Sequence, residues 1–174
     1  MKTLLLLRHA KSAWSDVRLA DHDRPLNRRG ERAARAMADH VAAAVTRPDL
    51  VLCSTALRTR QTLAPLVDRL GTPTPPILLE KSLYLASQAS LLAQLRAVTD
   101  AASTVLLVGH NDGIGDLAAA LAGSGSPEAL ALLHEKYPTG TLAVLAVPGE
   151  TWSGLAPGAA RLVEFTRPRD LAVT

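Results

Sequence analysis

The sequence predicts an α/β fold, a three-layer α/β/α sandwich with a mostly parallel central sheet and a late antiparallel strand pair. Short apolar runs recur at Leu4–Leu7, Leu50–Cys53 and Val105–Val108, the pattern of strands buried on both faces. Strand-like and helix-like segments alternate from residue 2 to 122. Beyond them, Thr141–Val147 and Arg161–Thr166 are strand-like stretches joined by a Pro/Gly-rich loop, which reads as an antiparallel pair.

Taken in order, residues 2–7 read as the first strand. The polar segment 11–27, with Trp14, Asp16, Asp21 and Asp23, is long enough to lie over a site rather than make a tight turn. An Ala-rich stretch, 28–45, reads as a helix. Pro48-Asp49 breaks the chain before a strand at 50–53. Ser54 or Thr55 is placed to cap a helix running to about Leu70, which Pro65 is expected to kink or shorten. A stiff connector at 71–76 leads to a short edge strand at 77–79. A helix at 87–98 and a strand at 104–108 follow. Asn111 or Asp112 is placed to cap a helix to about Leu121. Residues 123–127 read as a loop, with a short helix after them. No internal repeat is present, and 1–174 reads as one domain.

Hydrophobic residues make up 48% of the 174, enough for a packed core, and only 3% are aromatic, so that core is aliphatic. The net charge of +3 and pI near 9.4 suit an anionic substrate, although an Arg-rich surface gives the same balance. No Lys/Arg block or interleaving of basic and aromatic residues points to nucleic acid. No segment approaches the ~18 apolar residues of a membrane span. Met1–Leu4 opens like a signal peptide but the apolar run stops at Arg8, so a cytoplasmic protein is expected. The single cysteine, Cys53, excludes an intrachain disulfide and a Cys-based zinc cluster, and its strand setting predicts an inert buried thiol.

Chemistry concentrates where the strands end. Leu4–Leu7 runs into Arg8-His9, Leu50–Cys53 is followed by Arg58, and Val105–Val108 leads through Gly109 to His110. Ligands of such sheets bind at the carboxyl ends of the strands, so Arg8, His9, Arg58 and His110 are expected in one crevice. An arginine fork matches the geometry of a phosphoryl group, and an imidazole beside it is tuned by small environmental changes. Arg58 falls in the first turn of its helix, where the macrodipole disfavours a cation unless an anion binds there. Gly109 is expected to let the chain turn sharply before His110. Lys11, Ser12, Trp14 and Asn111 are candidate substrate contacts in the flanking loops. Trp14 and Trp152 are each expected to pack under their own loop. Arg60, His22, His40 and His134 read as surface residues. No His-x₃-His spacing with a matching carboxylate pair suggests a metal, and no cofactor is expected.

These residues also carry a resemblance. Leu7-Arg8-His9-Ala10, the Ser54…Arg58…Gln61-Thr62 segment and Val108-Gly109-His110 resemble, in order and spacing, the histidine phosphatase superfamily. Arg8-His9-Ala10-Lys11-Ser12, Arg24-Pro25-Leu26-Asn27…Gly30 and Leu83-Tyr84-Leu85-Ala86 are similar to its short, SixA-type phosphohistidine phosphatases. The resemblance implies that His9 is a nucleophile that becomes phosphorylated. It implies that Arg8, Arg58 and a protonated His110 hold the phosphoryl oxygens, without a metal. Ala10 stands where the family usually has glycine, and Thr55 where it has proline. Leu85 stands where other branches place a glutamate general acid, with Glu80 nearby but out of register. A missing acid disfavours alkyl phosphate esters and is acceptable for a phosphoramidate. The implied partner is therefore a protein bearing phosphohistidine. The alternatives are a phosphomonoesterase acting on a small metabolite and an inactive phosphate-binding module.

Overall fold

A computed structural model describes residues 1–171. In chain order the elements are β1 (Lys2–Arg8), α1 (Arg28–Ala44), β2 (Leu50–Ser54), α2 (Leu57–Leu70), β3 (Ile77–Glu80), α3 (Gln88–Arg96), β4 (Thr104–Gly109), α4 (Gly113–Leu121), β5 (Ala122–Gly125), α5 (Pro127–Glu135), β6 (Leu142–Val147) and β7 (Ala160–Thr166). Short 3-10 turns lie at Asp21–Asp23, Lys81–Leu83 and Pro168–Asp170. The strands form one seven-stranded sheet in the order β3-β2-β4-β1-β6-β7-β5. Four neighbouring pairs are parallel; only β6 runs against its neighbours, β1 and β7. The fold is the α/β sandwich expected, with β6 and β7 as its late antiparallel pair.

Strand residues alternate between two cores, as the period of two demands. Leu5, Leu7, Val51, Cys53, Leu106 and Val108 pack on α1 and α2 through Met37, Val41, Leu63 and Leu66. Leu4, Leu6, Leu52, Val105 and Leu107 face the other way, onto α3, α4 and α5 through Leu91, Leu95, Ile114, Leu117 and Leu133. Each fully buried leucine contributes roughly 1.5–3 kcal/mol by removal from water, so the four consecutive leucines of β1 anchor the sheet's centre. Trp152 is one of the largest fully buried side chains and donates its indole N–H to Ala102 O at 2.8 Å. It packs beneath its own loop, as expected.

Three local expectations change. Residues 123–127 were expected to form a loop, but Ala122–Gly125 pairs in parallel with β7, with a register shift between Ala122 and Ser124. Ala-Gly-Ser-Gly carries no apolar pattern, so backbone pairing at a sheet edge defines this strand. Pro65 does not end α2, because buried Leu63 and Leu66 on either side hold it to the sheet. Gly109 does not turn through a left-handed conformation. Its missing side chain matters instead for space, since a Cβ there would lie 3.2 Å from Ile114 Cδ1 and 3.3 Å from Leu107 Cδ2.

Connectivity creates the crevice. After β1 the chain crosses to α1 on one face, whereas after the adjacent β4 it crosses to α4 on the other. The two exits diverge and leave a cleft at the carboxyl ends of β1 and β4, the switch point of an open α/β sheet. Among the described residues no helix is long and apolar enough to cross a membrane.

Candidate active site

Arg8 ends β1 and His9 follows it into the cleft. Their backbone is held from both flanks. Arg8 N–H donates to Thr141 O at 3.1 Å, His9 N–H donates to Gly109 O at 3.0 Å, and Gly140 N–H donates to both Arg8 O and His9 O. Ala10 N–H is bound by Thr62 Oγ1 at 2.9 Å, which ties this turn to α2. Arg58 is the second residue of α2, as expected, and is almost wholly buried at 4% exposure. His110 follows Gly109 at the end of β4. A cavity of about 290 Å³ brings all four together, walled also by Lys11, Ser12, Trp14, Leu85, Asn111 and Thr139.

The hydrogen bonds assign protons. His9 Nδ1 lies 2.7 Å from Ala10 O, and a carbonyl only accepts, so Nδ1 carries the hydrogen and Nε2 keeps its lone pair. Burial first, then the charges of Arg58 and Arg8, pull the His9 imidazole down to about 4, against the opposing effect of the Ala10 bond. His110 Nε2 lies 2.8 Å from Ser54 Oγ, and the two imidazole centroids are 5.4 Å apart. Burial, then Arg58 and His9, take His110 down to about 3. In the free site burial, with Arg58 and Arg8 close by, favours the neutral imidazole; the protonated His110 expected above belongs to the state with a phosphoryl group bound.

Arg8 Nη1 donates to Tyr137 O at 2.8 Å. Its Nε and His110 Nδ1 are buried polar atoms with no protein partner. A buried unpaired donor costs about 1–3 kcal/mol, so these are groups that a ligand's oxygens would satisfy. Asn111 lines the cavity, donates to Tyr137 O at 3.2 Å and accepts from Gly115 N–H at 3.0 Å, so its side chain braces the start of α4. Asp112, the other expected cap, makes no side-chain capping bond. At α2 the cap position is Ala56; Ser54 Oγ accepts weakly from Ala56 N–H at 3.3 Å, while Thr55 turns to His22.

Segment 11–27 folds back beside the cavity. A bridge between Ser12 and Leu26 closes its base. Leu26 N–H donates to Gln61 Oε1 at 2.8 Å and Asn27 N–H to Lys11 O at 2.9 Å. Gly30 is forced by close approach, because a Cβ there would lie 2.1 Å from Lys11 O. Near the segment's tip, Arg58 donates to Asp21 O at 2.7 Å and to Asp21 Oδ2 at 2.9 Å. Tyr84 O–H donates to the same carboxylate oxygen. Burial alone would raise the Asp21 carboxyl, but the bonds from Tyr84 and Arg58 and the charge of Arg58 outweigh it and hold it below the usual carboxylate range.

Sequence reasoning missed Asp21, Ser54 and Tyr84 as members of this cluster, and placed His22 on the surface. His22 is half-buried, 2.9 Å from Thr55 Oγ1 and edge-on to Tyr84. Asp21 and Tyr84 lie 63 residues apart, and only tertiary folding joins them. Trp14 does not pack under its loop. It stays 65% exposed on the cavity wall with the Arg24 guanidinium 4.1 Å from its ring centroid. His40 is half-buried and bound to Glu164 at 2.5 Å, while His134 and Arg60 are exposed. Burial pushes the Cys53 thiol up to about 12, in keeping with an inert residue.

Leu85 also lines the cavity, 55% exposed, with a φ of 50°. A left-handed backbone costs a branched residue roughly 1–2 kcal/mol. Glu80, at the end of β3, is exposed and forms no part of the cavity wall. No carboxylate is among the lining residues, and among the described residues no cluster of three or more His, Cys, Asp or Glu groups is gathered in metal-binding proximity.

The model of the histidine phosphatase superfamily (branch 1) matches residues 4–83. The uncharacterized protein Rv1276c of Mycobacterium tuberculosis is 43% identical over 165 residues, covering 94% of this chain and all of the relative. A solved structure from Nakamurella multipartita, assigned as the phosphohistidine phosphatase SixA, superposes with a TM-score of 0.82 at 35% identity, covering 96% of both chains. One from Agrobacterium tumefaciens, with the same assignment, gives 0.80 at 34% identity, covering 96% of this chain and 98% of that one. A mycobacterial glucosyl-3-phosphoglycerate phosphatase shares the fold at 18% identity and a TM-score of 0.65, covering 93% and 97%. On fold, sequence and the residues matched, the chain belongs to the histidine phosphatase superfamily, alongside chains of the SixA type.

Proposed function

We propose that the protein is a phosphatase working through a phosphohistidine intermediate on His9, and that its substrate is phosphohistidine on a protein. The observation that carries the first part is the His9 tautomer. Its proton sits on Nδ1 toward Ala10 O, so Nε2 presents a lone pair beside two guanidinium groups. Nε2 attacks phosphorus in line. The new N–P bond forms as the bond to the leaving group breaks, and the leaving imidazole departs carrying a proton taken from water. A second water then attacks phosphorus, the enzyme's N–P bond breaks and inorganic phosphate is released, its surplus proton neutralising the hydroxide left by the first water.

Catalysis here is positioning and electrostatics. Arg8 and Arg58 supply fixed charge to the equatorial oxygens, and His110, anchored to Ser54 Oγ through Nε2, turns its unpartnered Nδ1 to the same oxygens. A bound phosphoryl dianion also offsets the cations that hold His110 neutral in the free site. The cationic side chains themselves supply the charge that a metal supplies elsewhere.

The leaving group is read from Leu85. Leu85, which the resemblance puts at the acid position, lines the cavity, and no carboxylate is among the lining residues. Asp21 is the nearby carboxylate, but it is held ionised by Arg58 and Tyr84 and has no proton to give. The test is His9→Ala against wild type with trapping of the phosphoenzyme. The variant folds and loses turnover by at least ~10³-fold, and acid-labile phosphate appears on wild-type His9. Label on another residue, or full activity in the variant, rejects the assignment.

A further inference from the structure

A second cavity, of about 170 Å³, adjoins the first, and Lys11 and Thr139 line both. Beyond that shared wall it is lined by Arg29, Arg167 and Arg169. Among the described residues, Arg167 alone of these cations has a close carboxylate partner, Asp170 at 2.8 Å. Lys11, Arg29 and Arg169 are exposed and form no ion pair among the described residues. Like charges gather here from three separate parts of the chain: the segment after β1, the first turn of α1, and the turn after β7. Four cations thus line the cavity that shares a wall with the phosphoryl site.

The character of these cations separates them from the phosphoryl site. Arg58 is buried and hydrogen-bonded into a fixed geometry, as recognition of one compact dianion requires. Lys11, Arg29 and Arg169 are long, solvent-facing and unbraced. Such side chains suit several carboxylates spread along a chain better than a single phosphate.

We propose that this groove docks an acidic segment of the phosphoprotein substrate next to its phosphohistidine. The inference rests on the phosphohistidine-protein reading and adds the feature by which such substrates are selected. Contacts between exposed charges are screened by salt, so the selection acts through encounter and KM rather than through the chemical step.

The test compares two phosphohistidine peptides, one flanked by Asp and Glu and one by neutral residues, with a small phosphoramidate and a small bisphosphate as controls. Wild type is set against the Arg29→Glu/Arg169→Glu double variant. Glutamate in the first turn of α1 agrees with the helix dipole, so the fold is retained. Wild type prefers the acidic peptide by about tenfold in kcat/KM. The variant loses that preference through KM, and its turnover of the neutral peptide and the phosphoramidate is unchanged. Raising salt to 0.5 M removes the preference in wild type. No preference in wild type, or a preference that survives in the variant, overturns the docking proposal and leaves the catalytic reading standing. A KM increase confined to the bisphosphate assigns the groove to a small dianion and also overturns it. Failure of wild type to turn over either peptide, with active phosphoester hydrolysis, removes the phosphoprotein reading and the docking proposal together.

Discussion

At the scale of single residues, Leu85 and Glu80 are where the proposed substrate class is tested. Leu85 is in the wall of the cavity and Glu80 is outside it. General acid assistance is worth roughly 10²–10⁴-fold, and alkyl phosphates depend on it most. Wild type is therefore expected to hydrolyse phosphohistidine and aryl phosphates at least ~10²-fold faster than sugar phosphates. Glu80→Gln is expected to change neither rate. Initial rates on the three substrate classes check both statements. A selective loss on alkyl esters in the variant identifies Glu80 as the acid, and a wild-type preference for an alkyl ester transfers the assignment to the small-phosphoester alternative.

At the scale of elements, segment 11–27 depends on α1. Asn27 caps the helix through Gly30 N–H at 2.8 Å, and Gly30 leaves room for Lys11 O to lie against it. Gly30→Ala would ordinarily favour a helix by about 0.5–1 kcal/mol. Here the added methyl meets backbone rather than a flexible side chain, so the clash wins. The variant is expected to melt at a lower temperature and to show a raised KM, because Lys11, Ser12 and Trp14 are carried by the displaced segment. Thermal melts and steady-state kinetics check this, and a stabilised variant of normal KM contradicts it. The segment also marks the limit of what the sequence discloses. Arg8, His9 and His110 were legible because each follows an apolar run in chain order. Asp21 and Tyr84 were not, because a loop and a 3-10 turn bring them to Arg58 with no spacing that announces it. For the same reason β5 went unread, since its pairing with β7 lies in the backbone and not in its side chains.

At the scale of the whole molecule, two neutral imidazoles near the centre of the sheet's edge make stability depend on pH. His9 and His110 titrate near 6.5 when unfolded but only at about 4 and about 3 when folded. Below pH 6.5 the unfolded chain binds protons that the folded chain does not, so stability falls as pH falls, down to about 4 for the His9 contribution and about 3 for that of His110. Each unit of displacement corresponds to about 1.4 kcal/mol. The fold is expected to be most stable above pH 7, and His9→Gln/His110→Gln is expected to flatten the acid limb of the stability curve. Denaturant melts between pH 4 and 8 measure it; an unchanged limb in the double variant contradicts the burial of neutral histidines. The parallel centre of the sheet and its two faces were legible at this scale, because short unbroken apolar runs at β1, β2 and β4, each bounded by polar or turn residues, read as strands buried on both sides.

The backbone on both sides of His9 has a consequence for control. The backbone of Arg8 and His9, at and just past the end of β1, is hydrogen-bonded to Gly109, Gly140 and Thr141. A nucleophile on a flexible loop can be withdrawn by a small local movement. The backbone that carries His9 is held from both flanks, so displacing it means breaking its bonds to the end of β4 and to the turn before β6. The His9 amide, bound to Gly109 O, is expected to exchange its hydrogen far more slowly than the exposed amides of segment 11–27.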